Sequence, residues 1–285
     1  MDLPALLAVA ITIACWAANF PTIRFAVQAY DPRYIALLRF LCASLAMGLF
    51  AGLVRMPLPA PRDWWAFAFF GLTGLGLSTL VLTIGLTTVS AGSGSFLVGT
   101  IPIFSALLAR IFLKERLAGM GWLGIAVSFS GVGLIALGEG HGLRLNPGAA
   151  WVVLSAFMQS IFYVFQKPFH LRYNPLQITA CTIWSATAWL LVFLPGLPGA
   201  MRAAPLGHTL AVVFLGLFPT SIAFLAWAYA LSRAKAAKVT SAMFLMPALA
   251  LGMAWLWLAE VPTLFSLAGG LLALAGVLLL NLWGR

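Results

Sequence analysis

The sequence is poor in charge. Of 285 residues, 8% are Asp, Glu, Lys or Arg, and six are acidic. A soluble domain covers its surface with roughly 25% charged residues, so a soluble globular class is excluded. Asp2, Asp31, Asp63, Glu115, Glu139 and Glu260 all lie outside the middle of any apolar stretch, as do His141, His170 and His208. A pump that exchanges protons for cationic cargo needs a carboxylate at membrane depth, and the sequence offers no such residue. It offers no nucleophile–base pair at depth either, which argues against an embedded enzyme. Cysteine is scarce too. Cys15, Cys42 and Cys181 stand within apolar stretches and read as small buried hydrophobes, so no disulfide, no metal site and no cofactor are expected.

Apolar surface is what the chain has in excess: 63% of residues are hydrophobic and the mean hydropathy is +1.05. Crossing a bilayer takes about 20 apolar residues per helix. Pro, Gly and charge punctuate the chain into ten such stretches: Pro4–Phe25, Ile35–Val54, Trp64–Leu86, Gly94–Leu113, Gly121–Leu137, Ala149–Phe165, Leu176–Leu194, Leu210–Leu231, Val239–Leu258 and Leu264–Trp283. Backbone in lipid must satisfy its own hydrogen bonds, and no short alternating segments suggest a barrel, so the expected class is an all-α membrane protein of ten transmembrane helices. Met1-Asp2-Leu3-Pro4 lacks the basic start of a secretory signal, and the first stretch is expected to remain as a span.

The net charge of +10 raises nucleic acid as a partner. The basic residues, however, are scattered between apolar stretches and form no stripe, which fits a membrane surface instead. With the N-terminus placed inside, the inner connections hold Arg55, Arg62, Arg110, Lys114, Arg116, Lys167, Arg172, Arg233, Lys235, Lys238 and Arg285, and the outer ones hold Arg33, Arg144 and Arg202. This bias places both termini in the cytoplasm. Trp64, Trp65, Trp122, Trp151, Trp257 and Trp283 stand at span ends, as interfacial anchors do.

The chain also repeats itself. At an offset of 145, Gly71 matches Gly216, Leu86 matches Leu231, Pro102 matches Pro247, Glu115 matches Glu260, Gly124 matches Gly269 and Gly131 matches Gly276. At 143, Arg24 matches Lys167, Tyr30 matches Tyr173 and Pro32 matches Pro175. Two units are expected, residues 1–140 and 141–285, of five spans each. Because five is odd, the second is expected to be inverted relative to the first. Basic residues follow suit: Lys114 and Arg116 flank Glu115, whereas Ala259 and Val261 flank Glu260, and Ser90 and Ser93 are matched by Lys235 and Lys238. Inverted repeats are the architecture of alternating-access carriers, with cargo held near the midplane.

The block from Ala91 through Pro102 to Leu113-Lys114-Glu115, repeated from Ala236 through Pro247 to Leu258-Ala259-Glu260, resembles the hallmark of the drug/metabolite transporter superfamily. The whole chain looks like two copies of its five-helix EamA module, and within that family it is similar to the YddG-type amino-acid exporters. Trp16-Ala17 departs from the Trp-Gly of many relatives, which bears on how the first helix packs. The resemblance implies an inner-membrane carrier exporting amino acids, aromatic and other neutral ones among them, with drugs or other metabolites as the alternative cargo. The location is expected to be an inner membrane, and Arg in excess of Lys with a high Ala and Leu content points to a bacterial one.

The residues that suit such a role are neutral and aromatic. Trp16, Asn19 and Phe20 share one helix face by their spacing, and the register maps that face onto Gln159, Phe162 and Tyr163. An amide in hydrocarbon needs a partner or a wet cavity, so Asn19 and Gln159 either line a central cavity or bond between helices. Pro102 and Pro247 deprive the carbonyls of Val98 and Met243 of a donor; they read as hinges or gates, or as fixed bends. Ser78, Thr79, Ser95, Gly99 and Trp227 supply hydroxyls, space and a π surface around the same centre, or ordinary packing. Gly121, Gly124, Gly131, Gly133, Gly269, Gly270 and Gly276 form small-residue faces suited to close packing, with a dimer interface as the lesser reading; a monomer is expected. Arg24 and Arg39 are expected to snorkel outward, one of them pairing with Asp31, with capture of a cargo carboxylate as the other use. Glu115 is expected to pair with Arg110 or Arg116.

Overall fold

A computed structural model describes residues 2–112, 114, 117–140, 145–234, 239 and 242–283. The described residues contain no strand. They form α1 (Leu3–Ala26), α2 (Pro32–Leu53), α3 (Pro61–Gly85), α4 (Ala91–Phe112), α5 (Gly119–Gly138), α6 (Pro147–Leu171), α7 (Pro175–Ala203), α8 (Leu206–Arg233), α9 (Ala242–Leu258) and α10 (Leu264–Trp283). Nine are long and apolar enough to cross a membrane, and α9 is a shorter apolar helix among the described residues. Several starts are written in the sequence as an Asx residue followed by proline. Asp31, Asn146 and Asn174 each accept a backbone N–H of the helix they precede, and Pro32, Pro147 and Pro175 fill the first helical position, where no N–H is needed.

The largest departure from the expected spans is at α7, which runs to Ala203 instead of Leu194. It passes through a 3-10 stretch, Leu191–Gly196, into a short helix whose second residue is Pro198. The expected end lay just before Pro195, which instead sits inside the 3-10 stretch, and Pro198, near the start of the next piece, costs no hydrogen bond, so neither proline ends the element. α8 likewise begins at Leu206, which places His208 inside its first turn.

Internal irregularities recur at matched positions. α3 widens into a π-helical stretch at Gly71–Leu77, and α8 does so at Phe218–Ile222, which overlaps the first at the offset of 145. α4 is interrupted at Gly99–Thr100 and resumes at Ile101. α9 changes from a 3-10 turn, Ala242–Leu245, to α-helix at Met246, again 145 residues on. Pro102 and Pro247 are therefore the second residues of new helical pieces, a geometry different from a kink in a continuous helix.

Packing is reciprocal in the same register. A Cβ at Gly71 would meet Ser185 and Ala186 of α7, and one at Gly216 would meet Arg39, Cys42 and Ala43 of α2. Gly124 lies against Gly276 and Gly131 against Gly269, backbone to backbone, as small residues allow. Along α5 and α10 one set of numbers rises as the other falls, so these repeat mates run antiparallel. α2 and α7 do the same: Gln177 reaches Pro57, Trp184 reaches Ser44, and Gly196 meets Tyr34. The mates Ser44 and Thr187 touch each other, hydroxyl to hydroxyl, at 2.6 Å. Gly133 departs from the expected small-residue face, since a Cβ there would meet nothing within 4 Å; two residues past Gly131, it points elsewhere on the helix. Trp65, Trp122, Trp151, Trp257 and Trp283 are exposed, whereas Trp64 is half-buried beside Phe67.

Candidate transport site

The π stretch of α8 organises one side of the bundle interior. A wide turn releases carbonyls from their usual donors, and here hydroxyls five residues on take them. Thr220 Oγ1 donates to Leu215 O at 2.8 Å and Ser221 Oγ to Gly216 O at 3.0 Å. The carbonyl of Pro219 is taken by α1: the indole N–H of Trp16 donates to it at 3.1 Å. The Trp16 ring also packs against Phe224 and Trp227, with centroids 5.5 and 5.3 Å away. Val98 and Met243 pack against the same apolar cluster. Trp16 and Trp227 are thus brought together, and Val98 and Met243 belong to the same large apolar core. Phe20 is buried there as well, and Asn19 is 8% exposed with its Oδ1 lacking any hydrogen-bond partner among the described residues.

The α6 side is arranged differently. Phe162 is buried where Gly74 leaves room, against Phe70, while Tyr163 lines a separate cavity of about 210 Å³ with Pro102, Ser105, Val164, Lys167 and Asn281. Gln159 is half-buried. Phe162 and Tyr163 therefore belong to a different apolar cluster from Trp16. Ser78 Oγ donates to Gly74 O and Ser95 Oγ to Gly92 O, both at 2.6 Å; Thr79 is buried and its carbonyl accepts from Thr83. These hydroxyls serve their own helices. Gly99 and Thr100 form the break in α4, where Thr100 N–H bonds Leu97 O.

Sequence reasoning missed the groups that tie the helix ends together. Arg24 does not snorkel: its Nε donates to Glu260 Oε1 at 2.8 Å, and its Nη1 to the carbonyls of Leu86 and Thr87. The other oxygen of Glu260 accepts the N–H of Ala91 at the start of α4. Beside it, Glu139 accepts from Ser90 N–H at 2.8 Å and from the hydroxyls of Ser90, Ser93 and Ser266. At the opposite end Asp63 accepts from Arg172 at 2.9 Å and from the Tyr173 hydroxyl. The position of Glu139 and Asp63 just beyond apolar stretches was the available signal. Asp31 pairs with Arg33, two residues away, in place of Arg24 or Arg39; hydrogen bonds from that guanidinium hold its carboxyl below the usual carboxylate range. Arg39 is buried and donates through Nε to Thr220 at 2.7 Å. The pairing expected for Glu115, like its companion Arg116, lies outside the described residues. So do Lys235, Ala236 and Lys238.

What this arrangement offers chemically is an aromatic, mostly neutral interior with one unmatched amide oxygen, tied at both ends by ion pairs. Among the described residues no three His, Cys, Asp or Glu side chains gather as metal ligands do. The model of the EamA-like transporter family matches residues 3–137 and 146–282. The chain is 43% identical to the uncharacterized transporter YdfC of Bacillus subtilis, over 93% of this chain and 87% of that one. It is 37% identical to a probable terminal-alkyne amino-acid exporter of Streptantibioticus cattleyicolor, over 97% and 93% of the two chains. A crystal structure with 21% identity, covering 100% of this chain and 99% of its own, shares the fold at a TM-score of 0.65. With both halves matched and relatives of this similarity, the chain is a multi-pass membrane protein that belongs to the EamA-like transporter family.

Proposed function

We propose that the protein exports amino acids, aromatic and other neutral ones among them, and related small metabolites across a bacterial inner membrane. It works as a carrier and not as an enzyme, by alternating access between two inverted units, residues 1–140 and 141–285, with both termini in the cytoplasm. The observation that carries this reading is the Asn19 amide oxygen, buried and without a donor beside Trp16 and Phe20. A buried acceptor without a donor costs on the order of 1–3 kcal/mol. A cargo ammonium would satisfy it, while the indole and phenyl rings suit an apolar cargo side chain. The 37% identical relative, itself a probable exporter of an amino acid, supports the same cargo class. The cargo is held between helices near the midplane, at the broken pieces of α4 and α9, as discontinuous helices hold it in other carriers.

The test is uptake of labelled phenylalanine and leucine into everted membrane vesicles. Asn19→Ala and Trp16→Ala should each lower uptake about tenfold, the loss of roughly 1.4 kcal/mol of cargo binding, with expression unchanged. Wild-type rates in both variants would remove these residues from the site. Transport of drugs with no transport of amino acids would favour the alternative cargo.

A further inference from the structure

We propose that Arg39 is the residue that recognises the carboxylate of the cargo. The inference rests on the amino-acid reading above and assigns the second charged end of that cargo. A cation inside a membrane span is costly, roughly 2.5–3.5 kcal/mol even on insertion scales, and such residues are normally paired with an acid. Arg24, near the end of α1, follows that rule, bonded to Glu260, and even the exposed Arg33 and Arg172 at span ends are paired with Asp31 and Asp63. Arg39 does not follow it. It stands about two turns into α2, is 8% exposed, and donates to a neutral hydroxyl, Thr220 Oγ1. No carboxylate among the described residues lies within ion-pair distance of it. A guanidinium has five N–H donors in a flat fork, so this bond leaves most of its capacity unused.

The repeat shows that packing does not require the charge. At the offset of 143 the equivalent of Arg39 is Thr182 of α7, a buried neutral residue whose hydroxyl bonds back to Ile178 O. The fold accommodates a short neutral side chain there in one half and carries a desolvated cation in the other. The placement of the cation matters too. Thr220 belongs to the π stretch of α8, and the next residue back, Pro219, is the one whose carbonyl holds the Trp16 indole. Arg39 and Trp16 therefore grip one irregular turn from α2 and α1. A free amino acid presents a carboxylate, an ammonium and a side chain. Arg39, the orphaned Asn19 oxygen and the Trp16 cluster offer one complement to each. Arg24 is unsuited to the task because Glu260 and two carbonyls already occupy it.

Purified protein in proteoliposomes is to be assayed, at a pH that keeps both amines protonated, for transport of labelled L-phenylalanine and of labelled L-phenylalaninamide, in which a neutral carboxamide replaces the carboxylate. The wild type should prefer phenylalanine about tenfold, as expected for a charge-assisted bidentate contact. Arg39→Gln should remove that preference by slowing phenylalanine while leaving the amide within about twofold, and Arg39→Lys should restore part of it. An undiminished preference in Arg39→Gln overturns the proposal. If that variant does not fold, as judged by gel filtration and melting, Thr220→Val decides. It keeps the charge and frees its anchor, and KM should change for phenylalanine but not for the amide; an equal loss for both makes Arg39 a packing residue and overturns the proposal. A wild type that carries both compounds equally leaves amino-acid export standing and removes the role of Arg39 alone. A wild type that carries neither removes both.

Discussion

At the scale of single residues, the charged groups of this protein divide by what they touch. The scarcity of acids made each one conspicuous in the sequence, and their positions at span ends were legible from hydropathy. Their partners were not. Glu139 reaches Ser90, Ser93 and Ser266, from two helices distant in sequence, and Arg24 finds Glu260 at the far end of the chain. Such pairings depend on which helices become neighbours, and nothing in local sequence encodes that. Arg39 departs from its expected outward course for a related reason. Snorkelling is the low-energy habit of a long basic side chain near a membrane surface, and a polar turn at Thr220 overrides it only because α8 packs against α2. The Glu139 cluster yields a prediction at this scale. Removing its carboxylate in Glu139→Ala strands the Ser90 N–H and three hydroxyls, at a cost of about 1–3 kcal/mol. Thermal unfolding in detergent should register that loss, and a cysteine placed at Ser93 should react faster with a water-soluble maleimide. Unaltered melting together with unaltered labelling would mean that this end of the bundle is held by other contacts.

At the scale of elements, the ten apolar stretches and most of their ends could be read directly. Asp31-Pro32, Asn146-Pro147 and Asn174-Pro175 combine a side-chain acceptor with a residue that needs no donor, and both properties are local. The π stretches of α3 and α8 were not read, because a widened turn is a response to packing: Gly71 and Gly216 seat against α7 and α2, and the register between helices absorbs an extra residue. The role of Pro102 and Pro247 was read halfway. Their matched spacing was visible, but only the break at Gly99–Thr100 and the 3-10 turn before Met246 show that each proline opens a helical piece. The glycine faces permit a sharper check. A methyl group at Gly131 would press on the Gly269 carbonyl, with the backbone of Ala273 behind it. Overpacking of this kind costs about 1–3 kcal/mol. Gly131→Ala should lower the melting temperature, whereas Gly133→Ala, facing open space, should leave it unchanged or raise it slightly, since alanine favours helix. Equal effects at the two positions would contradict the close approach of α5 and α10.

At the scale of the whole molecule, the sequence register and several contacts follow the same offsets. Residues offset by 143 or 145 carry similar side chains, and the same offsets relate the contacts: Gly71 with α7 and Gly216 with α2, Gly124 with Gly276 and Gly131 with Gly269. The antiparallel course of α2 beside α7, and of α5 beside α10, is what the proposed pair of oppositely oriented units would require. It does not by itself say which face of the membrane each end meets, and here the scattered Lys and Arg residues carry the argument. Exposed Gln28 follows α1 at one end of the bundle, and exposed Ser232 closes α8 at the other. With Cys15, Cys42 and Cys181 replaced by alanine, a cysteine at Gln28 should react with an impermeant maleimide added to intact cells, and a cysteine at Ser232 should react only in everted vesicles. The positive-inside rule demands this direction, because Arg55, Arg62, Lys167, Arg172 and Arg233 lie on the Ser232 side. Labelling in the opposite sense would turn the molecule over in the membrane and, with it, the direction in which the Glu139 and Glu260 clasp faces, while the contacts of α2 with α7 and of α5 with α10 would stand.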